Sequence, residues 1–164
     1  MSNSPQLPST SAIALDSELK ATSEKWFEYI VRVQPHHTDY GGVVWHGTYL
    51  TWMETARVEC LRSIGINFEE LVSLGCDLPV VDLSIRYRRS LRLGQTAVVK
   101  TRMNEVTGVR IDWDYAIECS ETKELCITGK VTLVAIDREK GKIMRQLPAN
   151  VKNSLIKLHS NLES

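Results

Sequence analysis

Hydrophobic residues recur with a period of two in several segments of this chain and with a helical period in one. In WFEYIVRVQ, Phe27, Tyr29, Val31 and Val33 share one side and Glu28, Ile30, Arg32 and Gln34 the other, which predicts a strand with one buried face. Between Gly47 and Gly65 the spacing changes. Tyr49, Met53, Ala56, Cys60 and Ile64 recur every three or four residues, with Thr51, Glu54, Arg57 and Glu59 mostly off that stripe. A helix of about 17 residues, ~25 Å long at its usual rise, accounts for this pattern. Thr48 can cap its start, and Gly65 is placed to end it in a left-handed conformation.

Beyond a short helical or irregular link, NFEELVSLGCDLP, the chain reads as strand and turn as far as Pro148. Val81, Leu83, Ile85 and Tyr87 alternate with Asp82, Ser84, Arg86 and Arg88; Ile111, Trp113, Tyr115, Ile117 and Cys119 alternate with Asp112, Asp114, Ala116 and Glu118. Each of these strands is expected to keep one wet face. Strands over 95–106 and 124–136 adjoin short turn signals at Thr107-Gly108 and Glu121-Thr122-Lys123, so hairpins and antiparallel pairing are expected. A last turn at Arg138 to Gly141 leads to an extended run, and a weak amphipathic helix can close the chain. One helix entered early and followed by long antiparallel strands makes an α+β domain whose sheet buries the helix.

Composition changes this picture at the N-terminus, where residues 1–22 are rich in Ser, Thr and Pro and have no apolar period. Such a segment cannot offset its own ordering entropy, and a flexible tail is expected ahead of a single domain over 23–164. Acidic and basic residues balance at 20 each, which removes any global field favouring nucleic acid or an anionic membrane. Apolar runs stay far below the roughly 20 residues of a membrane-spanning helix. Cys60, Cys76, Cys119 and Cys126 form no CxxC pair and no leader-like segment precedes the domain, so a reducing cytoplasm is expected, with the thiols as small buried side chains.

Candidate chemistry collects in PHHTDYGGVVWHGTYLTWMETAR, residues 35–57, where an acid, three histidines and a Gly-Gly pair lie between the first strand and the helix. A helix N-terminus presents unpaired N–H groups and the positive end of the peptide dipoles, so it stabilises a carbonyl oxygen that gains negative charge. A carboxylate just upstream, Asp39, can attack a thioester carbonyl or take a proton from water. The same Asp before Gly-Gly is also an ordinary turn former. His46, ahead of the helix start, suits capping and packing as well as catalysis.

The run from His37 to His46 (HTDYGGVVWH), continued by Tyr49, Trp52, Glu54, Ala56 and Arg57, resembles the signature of the 4-hydroxybenzoyl-CoA thioesterase branch of the hotdog superfamily, which includes acyl-CoA thioesterases associated with the Tol-Pal system. The resemblance extends from about Trp26 to Ile136. It implies a hotdog fold, a curved antiparallel sheet of five or six strands around one long helix. It further implies hydrolysis of an acyl- or aryl-CoA thioester, with Asp39 as nucleophile or general base and backbone N–H groups around His46 and Gly47 as the oxyanion hole. His46 matches a position often given a supporting role. One departure stands out: the family often has an acid two residues before the catalytic Asp, where this chain has His37, a potential proton carrier. Glu54 lies on the helix that carries the catalytic acid in a second branch of the fold, but its neighbours match the Asp-loop branch, where this glutamate is mainly structural.

Coenzyme A, as part of the substrate, brings phosphates, and Arg86, Arg88, Arg89, Arg92, Lys100, Arg102 and Arg110 stand in a stretch with the single acid Glu105. Arg88, Arg89 and Arg92, near a strand end, are the candidates for nucleotide contact, and Tyr40, Trp45 and Tyr49 are candidates for the acyl pocket. Neither a cofactor nor a metal is expected, because His36, His37, His46 and Asp39 lack zinc spacing. Hydratases of this fold place His five positions after Asp, where this chain has Val44, which argues against that activity. A non-catalytic acyl-CoA-binding sensor is the alternative; no nucleic-acid-binding motif accompanies it. Val98, Val134 and Ile136, apolar on faces that read as wet, suggest a covering subunit and hence a homodimer or tetramer. CoA and acyl carrier protein thioesters, aryl or fatty, all fit the sequence.

Overall fold

A computed structural model describes residues 26–163; the tail expected over 1–22 lies outside them. Strand β1 (Phe27–Arg32) leads through a 3-10 turn at Pro35–His37 to the long helix α1 (Thr48–Ser63). A short helix α2 (Phe68–Ser73) and strand β2 (Cys76–Asp77) follow, then the long strands β3 (Val80–Tyr87), β4 (Thr96–Thr107), β5 (Arg110–Cys119) and β6 (Leu125–Val134). The short strands β7 (Ile136–Asp137) and β8 (Lys142–Ile143) and helix α3 (Ala149–Glu163) come last.

The main sheet runs β1-β4-β5-β6-β3, every pair antiparallel, and β2-β7-β8 form a small second sheet. Both predicted hairpins are present. Thr107 pairs with Arg110 across a two-residue loop, and beyond β5 the Lys123 N–H returns to the Cys119 carbonyl at 2.8 Å. Register puts Val99 opposite Ile117 and Met103 opposite Trp113, and places Ile117 beside Ile127, so one face of the sheet is continuously apolar. Tyr49, Met53, Ala56 and Cys60 of α1 pack onto that face in a single core that also takes in Leu155 and Leu158 of α3. Each large apolar side chain buried this way contributes about 1.5–3 kcal/mol relative to exposure. At Gly129 a side chain would meet the Met53 methyl at 3.0 Å, so glycine there lets the helix lie close against β6.

Trp52, Arg57 and Leu61 are buried along with the predicted stripe, because a curved sheet covers more of the helix than one flat face would. Arg57 was expected off the buried side; its guanidinium instead donates from Nη1 to the Tyr115 hydroxyl at 3.0 Å, beneath the helix. Nor does Thr48 cap α1. Gly47 occupies the N-cap, and the Thr48 hydroxyl donates to the His37 carbonyl at 3.0 Å, tying the helix start to the preceding turn. The other end follows expectation: Gly65 takes φ of +86°, its N–H reaches Arg62 O and that of Ile66 reaches Leu61 O, the paired bonds of a Schellman ending.

The larger departure is β3. Val81, Leu83 and Tyr87 alternate as predicted, yet they remain exposed, as does Val80. As the terminal strand of the sheet, β3 extends past the cover that α1 provides and has one unpaired edge. By contrast Val98, Val134 and Ile136, read from sequence as exposed apolar positions, are half-buried. This arrangement, a curved antiparallel sheet wrapped on one long helix, is the hotdog fold.

Candidate active site

The chain between the 3-10 turn and α1 forms a miniature hairpin. Asp39 N–H donates to Val43 O at 2.9 Å, Gly42 N–H to Asp39 O at 3.1 Å, and Thr38 bridges to Val44. Gly42 adopts φ of +77°, a conformation that glycine reaches at no steric cost, and so the tight return is made possible by the second glycine of the pair. The hairpin's returning arm is pinned to the segment after β3: Val43 bridges to Arg92, Val44 N–H donates to Leu91 O and Leu93 N–H to Gly42 O. Asp39 is therefore held on a fixed backbone although its side chain is exposed. One carboxylate oxygen accepts the Gly41 N–H at 2.8 Å, so the residue does form the local turn its sequence context suggests. A side chain at Gly41 would crowd that oxygen at 3.2 Å.

Asp39 lines a cleft of about 270 Å³ together with Val44, His46, Tyr49, Tyr87, Arg88, Arg89 and Ser90. The mouth of α1 forms one wall. Thr48 N–H is taken by Trp45 O at 2.9 Å and Leu50 N–H by Gly47 O at 3.2 Å, whereas the N–H groups of His46 and Gly47 have no acceptor among the described residues. The His46 amide, on the cleft lining with Asp39, is able to hold an oxygen that becomes negative while the carboxylate acts on the attached carbon; Gly47, expected as a second donor, lies outside the lining. Tyr49 is buried, accepts the Leu91 N–H at 3.2 Å, and has its phenol pushed up chiefly by burial, so it stays protonated.

Arg88 and Arg89 reach the cleft because their N–H groups both donate to the Cys126 carbonyl, at 2.8 and 3.1 Å, which breaks the alternation at the end of β3 and brings two successive side chains to one side. Arg89 has Glu124 at 3.7 Å. Arg92 lies outside the cleft lining, with its backbone N–H on Gln95 Oε1. The rest of the cationic stretch divides by face. Lys100 meets Glu28 and Glu118, Arg102 meets Asp114, and Arg110 meets Asp112, all with acids from the same or neighbouring strands.

Tyr40 is fully exposed and outside the cleft lining, as is Trp45, whose half-exposed ring lies over Gly47 so closely that a side chain at 47 would collide with it. His37 does not face the cleft either. Its Nδ1 accepts the Gln34 N–H at 2.9 Å and its ring meets Trp52 edge-on at 5.1 Å. Burial first, and the neighbouring His36 second, push its pKa down, so the ring is neutral at pH 7 and fixes the turn. Glu54 is exposed on α1 and outside the cleft lining. Sequence reasoning missed Tyr87 and Ser90. Tyr87 read as one of the inward apolar positions of its strand, and the signal was its polar tip immediately before Arg88-Arg89. Among the described residues no cluster of three or more His, Cys, Asp or Glu side chains could hold a metal ion, and no helix is long and apolar enough to cross a membrane.

Comparison with known proteins agrees with this fold. The sequence profile of the Thioesterase superfamily matches residues 41–126, more than half of the chain. The Synechocystis sp. protein sll0410, whose esterase name is provisional, is 64% identical over 158 residues, covering 94% of this chain and 95% of its own. Acyl-CoA thioesterase YbgC of Haemophilus influenzae is 31% identical over 122 residues, 69% of this chain and 90% of its own. Among solved structures, Slr0204, a 1,4-dihydroxy-2-naphthoyl-CoA thioesterase from Synechocystis, superposes with a TM-score of 0.75 at 24% identity, over 82% of this chain and 98% of the other. The profile match over residues 41–126 and the 31% identical acyl-CoA thioesterase establish that this chain belongs to the thioesterase superfamily, as a thioester hydrolase.

Proposed function

We propose that the chain hydrolyses acyl-CoA thioesters to the free acid and CoA, with Asp39 as the catalytic carboxylate. The observation that carries this reading is the shared cleft, which Asp39 lines together with His46, whose amide has no acceptor among the described residues. The thioester carbonyl oxygen is held at the His46 amide. As general base, Asp39 takes a proton from the water whose oxygen bonds to the carbonyl carbon and passes it to sulfur as the carbon–sulfur bond breaks; as nucleophile, it forms a mixed anhydride while CoA leaves as the thiolate, and water then cleaves the anhydride to the free acid, restoring Asp39 and supplying the thiolate's proton. Arg88 and Arg89 face the CoA phosphates and Tyr49 the acyl side. The substrate is the only carrier of coenzyme A in this scheme, and no further cofactor takes part. Four free, buried thiols fit a reducing cytoplasm.

The chain works as a homodimer or a tetramer built from two dimers, with β3 as the contact. Val80, Val81, Leu83 and Tyr87 are exposed on a strand that has one unpaired edge, the combination a second copy would cover. The deciding experiment is free-thiol release from a panel of aryl- and fatty acyl-CoAs, run in parallel with Asp39→Asn. Loss of at least ~100-fold in turnover with the fold intact is expected for a group of this type. Turnover at the parental rate in Asp39→Asn would remove the proposed mechanism.

A further inference from the structure

Residue 37 closes the base of the hairpin that carries Asp39. Asp39 N–H on Val43 O and the bridge from Thr38 to Val44 form its upper rungs, and Trp45 N–H on His37 O at 3.0 Å forms the lowest. The same carbonyl takes the Thr48 hydroxyl at 3.0 Å, so one backbone group joins the hairpin to the start of α1. The side chain reaches a third element. Nδ1 accepts the Gln34 N–H at 2.9 Å, where the chain leaves β1, and the ring meets Trp52 of α1 edge-on at 5.1 Å.

Elsewhere this segment is held by bonds whose acceptors are carbonyl oxygens, Val44 N–H on Leu91 O at 2.9 Å and the Tyr87 hydroxyl on His46 O at 2.8 Å. The His37 bond differs, because its acceptor is a ring nitrogen that accepts only while it carries no proton. A proton there turns the acceptor into a second donor facing the Gln34 N–H, which then loses its partner. The ionisable group against the ring is His36, 4.0 Å between centroids; α1 presents the neutral Trp52 and the end of β1 the neutral Gln34. Asp39, two residues on, turns its carboxylate to the Gly41 N–H. Burial and His36 both disfavour the cation, so the ring titrates below its ordinary 6.5.

We propose that His37 is a positioning residue for the Asp39 carboxylate: its unprotonated ring, by accepting the Gln34 N–H, locks the base of the hairpin to β1 and α1, and protonation of the ring releases that lock. This rests on the catalytic role proposed above for Asp39, and it assigns to His37 no contact with the reacting atoms. A pH dependence follows. The folded chain favours the neutral ring, so the unfolded chain takes up the proton first. The lock and its share of stability are present above pH 6.5 and are lost as pH falls from there through the folded value.

The test uses two substitutions. His37→Asn puts an acceptor oxygen where the ring has Nδ1 and does not titrate, whereas His37→Phe keeps a ring beside Trp52 and offers no acceptor. Turnover of the parent and both variants is followed from about pH 7.5 to about pH 4.5, with whichever of benzoyl-CoA and decanoyl-CoA is cleaved faster. The Gln34 amide proton shift, downfield while its bond to Nδ1 is made, is read by NMR over the same range. At the upper pH His37→Asn should keep kcat within about twofold of the parent and His37→Phe should lose about 3- to 10-fold, the shift one neutral hydrogen bond can hold, with KM within about twofold in both. As pH falls, the parent should drop by about 3- to 10-fold relative to His37→Asn, in step with the Gln34 shift. Asp39, His36 and His46 are common to both proteins, so that difference belongs to position 37. Coincident pH profiles for the parent and His37→Asn would overturn the inference. So would parental kcat in His37→Phe, or a loss in His37→Asn as deep as in His37→Phe, which would make ring packing the cause. If Asp39→Asn retains parental turnover while the Gln34 shift still follows the His37 ring, the failure belongs to the mechanism proposed for Asp39 and not to the lock.

Discussion

Arg57 offers a test of how the core tolerates charge, and the expected result is asymmetric. Its side chain is 5% exposed under α1, Nη1 donates to the Tyr115 hydroxyl at 3.0 Å, and Nε has no partner. Tyr115→Phe removes one oxygen atom and leaves a buried guanidinium without that acceptor. Leaving a buried donor unsatisfied costs about 1–3 kcal/mol, with charged groups at the upper end, so a loss of about 2–3 kcal/mol is expected. For a chain of this size that corresponds to a fall of roughly 4–12 °C in Tm. Arg57→Met removes the charge itself and keeps most of the volume; what it leaves without a donor is only the neutral Tyr115 hydroxyl, at the low end of the about 1–3 kcal/mol range, so it should be the milder change. The double variant Arg57→Met/Tyr115→Phe should therefore match Arg57→Met more closely than Tyr115→Phe, with a coupling of opposite sign to simple addition. Urea unfolding followed by tryptophan fluorescence measures all four proteins, and constant m-values would assign the change to the native state. If Tyr115→Phe unfolds at the parental midpoint, the guanidinium finds solvent or another acceptor and the reasoning fails. It fails too if Arg57→Met is the more damaging of the two single variants.

Three further outcomes follow from other parts of the structure. The Glu121 carboxylate, though exposed, accepts Thr96 N–H through both oxygens, at 2.9 and 3.0 Å, which lowers its pKa to about 2, with its own N–H as the next cause. A depressed folded value means that its stabilisation is present above the unfolded pKa near 4.5 and is lost as pH falls toward about 2, so Glu121→Gln should flatten thermal stability measured across that window relative to the parent. Gly47→Ala should cut kcat by about tenfold or more because Trp45 must leave its place over the helix mouth; the paired variant Trp45→Ala/Gly47→Ala should recover part of it, and no recovery would place the defect elsewhere. Leu83→Glu puts a charge on the exposed β3, so sedimentation should shift from oligomer to monomer, whereas an unchanged sedimentation coefficient would exclude β3 as the contact.

Much of the fold could be read from the sequence because its signals were local. The period of Tyr49, Met53, Ala56 and Cys60 marked α1, Gly65 marked its end, and the two hairpin turns marked the antiparallel pairing of β4, β5 and β6. What could not be read depended on which strands lie at an edge and how far the sheet curls. Val81, Leu83 and Tyr87 alternate like any buried strand, and only the order β1-β4-β5-β6-β3 shows why they stay exposed. Arg57 sat off the apolar stripe in a straight-helix projection and was buried by a sheet that wraps past it. The same holds for the candidate site: Asp39, His46, Tyr49, Arg88 and Arg89 line one cleft, while Gly47, Arg92, Tyr40 and Trp45 lie outside its lining. Adjacent residues part company there because backbone pairing of the Asp39 loop with residues 91–93 decides which side chains face the cleft, and that pairing spans some fifty positions.

The exposure of the site bears on the proposed assembly. Asp39, His46, Arg88 and Arg89 are all exposed in the single chain, and an amide facing open water is a weak oxyanion hole, because competing water solvates the oxygen as well as it does. Dry surroundings multiply the same interaction several-fold, and a surface able to provide them adjoins the cleft: Tyr87 belongs both to the cleft lining and to exposed β3. A second copy laid along β3 would thus exclude water beside Tyr87, brace the hydroxyl that holds the His46 carbonyl, and lower the dielectric around Asp39 in one step. On this argument the apolar residues left bare on β3 and the polar residues left bare in the cleft are two sides of one incomplete surface, and the proposed oligomer would be part of the catalytic apparatus rather than a packaging detail.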